Sequence, residues 1–223
     1  MGKIIGLIPA RGGSTRVKDK NIRSLNGSPL ISWTINTLLS SKLIDDVYVS
    51  TDDNRIKTIS LDYGAKVIDR PKDISNEYSQ LESAIKHAIT KIDDDIDIIG
   101  TFQCTTPFRK VDEVDEGIIK MKDNNYDSMI YTCEFDRFIW TREPKPINYN
   151  YFNRVRSQDK EWELIETGDY LTKTESLLKY NNRICGDIGY YVSNKMNYFD
   201  IDTEFDLELV NIIARGFDIN AKN

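Results

Sequence analysis

The stretch Lys3-Ile4-Ile5-Gly6-Leu7-Ile8-Pro9-Ala10-Arg11-Gly12-Gly13-Ser14-Thr15-Arg16 reads as a buried strand that ends in an anion-binding loop. Lys3–Ile8 is a short, nearly continuous apolar run, the pattern of a strand covered on both faces. Pro9 closes it, and two adjacent glycines then let backbone N–H groups approach an anion closely. The loop is not a Walker A sequence, because no Gly-Lys-Ser/Thr closes it, and it lacks the Gly-x-Gly-x-x-Gly dinucleotide signature. Between Arg11 and Arg23 lie five basic side chains (Arg11, Arg16, Lys18, Lys20, Arg23) against one acid, Asp19, a local balance of +4. A backbone nest ringed by guanidinium and ammonium groups suits a triphosphate.

Outward from this loop, strand and helix patterns alternate. Leu30, Trp33, Thr34, Thr37 and Leu38 form a helical stripe, with Pro29 suited to a first helical position. Strands are predicted at Asp46–Thr51, Lys66–Asp69, Ile96–Phe102, Ser128–Cys133 and Ile188–Val192. Helices are predicted at Asn54–Tyr63 (stopped by Gly64), Ser79–Ile92, Val111–Lys122, Lys173–Tyr180 and from about Thr203 to Arg215. With few hairpin signals, this order predicts a three-layer α/β fold around a mostly parallel sheet. Ligands of such sheets gather beyond the carboxyl ends of the strands, which singles out the loops after Ile8, Thr51, Phe102 and Cys133. From Glu134 to Glu166 the alternation breaks into Phe135, Phe138, Trp140, Tyr149, Tyr151, Phe152 and Trp162, with Pro144 and Pro146. That much aromatic surface predicts an inserted oligomer arm, the alternative being packing against its own domain. The expected organisation is one domain from residues 1–133 and 167–223, with 134–166 as the arm.

The 223 residues are enough for one domain with a proper core. Thirty-six acidic against 30 basic side chains leave a net charge of −6, which excludes a general nucleic-acid binder. A mean hydropathy of −0.49, with no apolar run approaching about 18 residues, excludes a membrane span. The opening apolar run is too short for a signal peptide and no small-residue cleavage site follows, so a cytoplasmic protein is expected. Cys104, Cys133 and Cys185 lie too far apart for a zinc ribbon or a disulfide scaffold. The one histidine, His87, falls in a predicted helix beside Leu81, Ile85, Ala88 and Ile92, where it reads as a partly exposed helix residue rather than a catalytic base.

Two further segments carry chemistry. In Asp200-Ile201-Asp202-Thr203-Glu204-Phe205-Asp206, the first two aspartates stand two apart on extended chain and point to one side, able to share a hard cation. Thr203 and Asp206 have the spacing of a helix capping box, and both roles are compatible. Phe102-Gln103-Cys104-Thr105-Thr106-Pro107-Phe108-Arg109 follows a strand with polar side chains that could hydrogen-bond a sugar.

Taken in order, Ile8-Pro9-Ala10-Arg11-Gly12-Gly13-Ser14, Lys20-Asn21, Gln103-x-Thr105-Thr106-Pro107-x-Arg109 and Asp200-Ile201-Asp202-Thr203-Glu204-x-Asp206 resemble the CMP-N-acylneuraminate cytidylyltransferases, with their legionaminic and pseudaminic acid relatives. Arg70-Pro71, Gln158-Asp159 and Glu166-Thr167-Gly168 extend the resemblance over nearly the whole chain. It implies a Rossmann-like nucleotidyltransferase domain, an arm swapped in a homodimer, and Mg²⁺ held by Asp200 and Asp202. It also implies that Ala10, Arg11, Gly12, Gly13, Ser14, Arg16, Lys20, Asn21 and Arg70 bind CTP, with Arg11, Lys20 and Asp202 catalytic. Gln103, Thr105, Arg156 and Thr167 would meet an acidic nine-carbon sugar. Departures are Thr15, where many members carry lysine and Arg16 would supply the charge; Ser157, where relatives often carry the arginine that binds the sugar carboxylate, with Arg154 and Arg156 adjacent; and Thr167, in place of a usual asparagine. Ser14-Thr15-Arg16 is also similar to the CMP-3-deoxy-manno-octulosonate synthetases, the alternative reading. A catalytically silent nucleotide-binding homologue is a third, against which the retained aspartates and basic loop stand.

Overall fold

A computed structural model describes residues 2–217, 219 and 221. Its centre is a seven-stranded sheet built on β1 (Lys3–Pro9), with β4 (Asp46–Thr51), β5 (Lys66–Asp69), β6 (Ile96–Thr101), β7 (Ser128–Phe135), β8 (Glu163–Lys173) and β9 (Ile188–Val192) in the order β5-β4-β1-β6-β8-β7-β9. A two-stranded hairpin, β2 (Ser24–Leu25) and β3 (Ser28–Pro29), lies outside the sheet. Its turn is Asn26-Gly27, both at positive φ (46° and 84°), the conformation that Asn-Gly favours in tight hairpins. Pro29 therefore closes a hairpin and caps the next helix rather than occupying its first turn.

Helices cover both faces, as a near-continuous apolar strand requires. Ile4 and Ile8 of β1 pack in one core with α1 (Leu30–Leu39), α4 (Val111–Asp123) and α6 (Glu204–Gly216). Ile5 and Leu7, one residue out of phase, pack in the other with α3 (Leu81–Ile89) and α5 (Thr174–Tyr180). The remaining helix, α2 (Asn54–Asp62), is capped by Asp53 and followed by Gly64 at φ 90°. The three-layer, mostly parallel α/β expectation holds.

One strand corrects the sequence reading. β8, which no pattern indicated, runs antiparallel between β6 and β7, so that the other six strands share one direction. Glu134 and Phe135 belong to β7, and Glu163–Glu166 belong to β8; the excursion from the sheet is accordingly residues 136–162, shorter than the predicted arm. Within it Phe138 packs on Tyr149 (centroids 4.5 Å apart) and Trp162 (5.6 Å), with the Arg154 guanidinium 4.3 Å over the Phe138 ring. Trp140, Ile147, Tyr151 and Phe152 remain exposed, Phe152 at 83%.

Candidate active site

The carboxyl ends of β1 and β6 and the turn before α6 converge on a cavity of about 330 Å³. Arg11, Ser14, Thr15, Arg16, Lys20 and Asn21 line one side, and Gln103, Thr105, Asp200 and Asp202 the other. The loop after β1 is held by its own polar groups. Ala10 N–H donates to the Ser50 carbonyl (3.0 Å), Gly12 N–H to Asp52 Oδ1 (2.9 Å) and buried Asn21 Nδ2 to the Arg11 carbonyl (3.0 Å). A Cβ at Gly12 would lie 2.7 Å from the Asp53 Cβ, so α2's cap requires glycine there, whereas a Cβ at Gly13 meets nothing. Ala10, Gly12 and Gly13 do not line the cavity, and Gly12's amide is engaged by Asp52.

Opposite, Asp206 Oδ2 accepts from the N–H groups of Asp202 (3.0 Å) and Thr203 (2.7 Å), and Thr203 Oγ1 accepts from Asp206 N–H. The capping box thus forms and shapes the turn that presents the aspartates, which Ile201 N–H ties to the Thr105 carbonyl at 2.9 Å. Both aspartates face the cavity. Asp202 takes a two-pronged contact from Arg16, at 3.0 Å for each pair, and one from Lys20 Nζ at 3.4 Å. Lys20 also donates to the Ile201 carbonyl at 2.7 Å. Arg16 therefore supplies positive charge across the cavity from Thr15's side. Asp200 is partly open to the cavity, yet desolvation pushes its carboxyl above the usual carboxylate range; neighbouring Asp202 pushes the same way, opposed by the Thr105 hydroxyl and Lys20.

Two carboxylates in a phosphate-sized basic cavity fit Mg²⁺, which takes one or two protein carboxylates and completes its shell with phosphates and water. Among the described residues there is no cluster of three or more candidate metal ligands. Cys104 also lines the cavity, but burial pushes its thiol up to about 12, which leaves it no thiolate for nucleophilic chemistry.

Gln103, Thr105 and Asp200 are shared with a second cavity of about 170 Å³, completed by Ile165, Glu166, Thr167, Gly168, Tyr170, Asn197 and Tyr198. One wall therefore separates two polar compartments.

A family model described as cytidylyltransferase matches residues 5–216. The chain belongs to the cytidylyltransferase family. It is 31% identical over 207 residues to N-acylneuraminate cytidylyltransferase B of Danio rerio, covering 90% of this chain and 48% of that protein. The chain thus spans about half the length of the Danio rerio relatives it matches. It is 29% identical over 225 residues to a pseudaminic acid cytidylyltransferase of Campylobacter jejuni, covering 96% of this chain and 97% of that one. A solved CMP:2-keto-3-deoxy-manno-octonic acid synthetase complexed with CTP superposes with a TM-score of 0.73 at 18% identity, over 96% of this chain and 99% of that one, and so shares the fold.

Other residues of this cytidylyltransferase chain stand apart from the first cavity. Arg70 does not line it; buried at the end of β5, its Nε donates to Ser50 Oγ at 3.0 Å, and burial lowers its guanidinium to about 10, opposed by Asp52 and reinforced by Arg11. Arg156 is on the arm, ion-paired with Asp159 at 2.6 Å, and lines neither cavity. Thr167 lines the second cavity, its hydroxyl donated to the Tyr131 carbonyl at 3.1 Å. His87 lies on α3 and lines neither cavity.

The sequence reading missed a buried ion pair beneath the shared wall. Arg109 donates to both carboxylate oxygens of Asp169 (2.7 and 2.6 Å), to Thr34 Oγ1 (2.9 Å) and to the Gln103 carbonyl (2.9 Å). Asp169 Oδ1 in turn accepts from Gln103 N–H at 3.1 Å, so the pair grips Gln103 from both sides of its backbone. Arg109 was visible in a motif; Asp169 had no signal, because it sits in the strand that no pattern revealed.

Proposed function

We propose that this chain transfers CMP from CTP to an acidic nine-carbon 2-keto sugar of the sialic, legionaminic or pseudaminic type, releasing pyrophosphate. The observation that carries the proposal is the shared wall: a basic, aspartate-bearing cavity for the nucleotide abuts a smaller polar cavity for the acceptor. Both substrates then meet at Gln103, Thr105 and Asp200. The anomeric hydroxyl attacks the α-phosphorus in line with the departing pyrophosphate, so catalysis is positioning plus charge neutralisation. Arg11 and Lys20 stabilise the charge that moves onto pyrophosphate. Asp200 and Asp202 would hold Mg²⁺, which supplies Lewis-acid neutralisation of phosphate oxygens. Arg16 then leaves Asp202 for the triphosphate, exchanging one anion for another. The three cysteines are free thiols, in keeping with a cytoplasmic setting.

The test is pyrophosphate release with CTP, Mg²⁺ and a panel of sugar acids. Turnover of 2-keto-3-deoxy-manno-octonic acid alone would favour the second reading, which Ser14-Thr15-Arg16 supports. No turnover with any sugar acid would leave a nucleotide-binding homologue. Within the basic segment, Arg11→Ala is expected to raise the KM for CTP and lower kcat well beyond Lys18→Ala, since Arg11 lines the cavity while Lys18 is exposed outside it. Equal effects in steady-state kinetics would mean that the segment acts only as a diffuse field.

The exposed aromatics of the arm support a homodimer in which the arm lies across the partner. Arg156, held away from both cavities of its own subunit, would then bind the sugar carboxylate in the partner's site. Verified heterodimers of Arg156→Ala and Arg11→Ala subunits are expected to regain activity through one intact composite site. A monomer by sedimentation would remove the dimer; a confirmed heterodimer without rescue would remove Arg156 from the partner's site.

A further inference from the structure

We propose that Asn197 is a specificity-determining residue whose Oδ1 accepts a hydrogen bond from an O–H or N–H group of the acceptor sugar; the assignment rests on the cytidylyltransferase reading above. Asn197 is 3% exposed and forms part of the second cavity. Its Nδ2 donates to Glu113 Oε2 at 2.8 Å. That carboxylate, itself buried, is held in place by the N–H groups of Asn194 (2.7 Å to Oε1) and Lys110 (3.1 Å to Oε2). An ionised carboxylate only accepts, so the amide must turn its nitrogen to Glu113 and its oxygen away. Oδ1 is then a buried acceptor without a partner in the protein. Leaving such a group unsatisfied is unfavourable, and in a cavity wall it marks the place of a ligand's donor.

Three hydroxyls of the wall agree in sign. The Thr105 hydroxyl is hydrogen-bonded to Asp200, the Thr167 hydroxyl to the Tyr131 carbonyl (3.1 Å) and the Tyr170 hydroxyl to Glu166 Oε2 (2.8 Å). Gln103 Nε2 donates to the Gly168 carbonyl at 3.2 Å. The Thr105, Thr167 and Tyr170 hydroxyls are thereby engaged inside the protein, and Glu166 and Asp200 place carboxylates beside Asn197, while one Gln103 N–H and the Tyr198 hydroxyl remain as donors. The carboxylates disfavour the sugar's own carboxylate on that side and favour its hydroxyl or acylamino N–H groups, so the wall orients the sugar as well as selecting it.

The experiment compares an N-acylneuraminate, pseudaminic acid and 2-keto-3-deoxy-manno-octonic acid, then analogues of the accepted sugar each lacking one hydroxyl or N–H. For the wild-type protein, kcat/KM is expected to fall about 10–10²-fold with the analogue lacking the donor that Asn197 reads. Asn197→Leu should lower kcat/KM for the parent sugar by a similar factor, leave that analogue unchanged and leave the KM for CTP unchanged. Asn197→Gln, which keeps the amide but displaces its oxygen, should reproduce the pattern, with thermal melting confirming a folded protein. Equal losses on the parent and every analogue, or a parallel loss of CTP affinity, would show a purely structural role and overturn the assignment. A folded wild-type protein that turns over no sugar acid overturns the functional reading and this assignment together.

Discussion

Asp202→Asn is expected to lower turnover by about 10²–10³, the usual cost of one group that stabilises transition-state charge. The asparagine should keep its place, because the Asp202 N–H remains bonded to Asp206 Oδ2 at 3.0 Å and the capping box is untouched. What disappears is the negative charge that Arg16 and Lys20 share and that, in the proposed function, would join Asp200 in holding Mg²⁺. The loss should therefore fall on kcat, with a smaller change in the KM for CTP, because the basic side chains proposed to bind it are untouched. Steady-state kinetics at saturating Mg²⁺, beside a melting curve that matches the wild type, measures this. Turnover near the wild-type rate would remove Asp202 from catalysis.

The second large effect is on stability. Asp169→Ala should cost about 3–5 kcal/mol, because the Arg109 guanidinium, with a side chain only 2% exposed, would be left without its counter-ion. For a chain of this size that is a fall of roughly 10 °C in Tm. Replacing both partners together, Arg109→Met with Asp169→Leu, should cost far less, since burying two apolar groups leaves no charge uncompensated. Denaturant unfolding of the two variants tests the difference. A single variant as stable as the double would mean that water reaches the guanidinium. The folded fraction of either variant should also have a lower kcat/KM, because Gln103 loses the grip on its backbone.

The parallel strands were legible because burial on both faces leaves a simple mark: Ile4 to Ile8 and Val47 to Thr51 are apolar or β-branched with little interruption. The helices between them were legible from periodicity, although Ser79–Ile92 proved longer than the observed Leu81–Ile89, which is flanked by polar Ser79, Gln80, Thr90 and Lys91. β8 was illegible for physical reasons. Its first half, Glu163–Glu166, stands partly in solvent at the root of the arm, and Gly168 interrupts the run at φ 87°. Asp169 then places a carboxylate in mid-sheet that an arginine sixty residues earlier neutralises. Local sequence cannot display that compensation. The candidate site was largely legible, because the loops that bear its motifs follow strand ends that converge. Arg70 and Arg156 were named by resemblance alone, and the structure sets both outside the cavity; Asn197, in a short turn with no motif of its own, needed three dimensions to be noticed.

The lone antiparallel strand also bears on how the chain is made. β6 and β7 are not bonded to each other; each pairs with opposite edges of β8. As the polypeptide leaves the ribosome, the β5-β4-β1-β6 half is available early, and β7 follows it without a neighbour to join. Both edges wait through the entire arm for the one segment that can bridge them, and β9 adds to the far side later still. Unpaired edges invite pairing with other chains, so the interval between the synthesis of Phe135 and Lys173 is when this protein is most exposed to aggregation. The arm's length sets that interval. Each residue added to it prolongs the wait, which links the size of the insertion to the yield of folded protein.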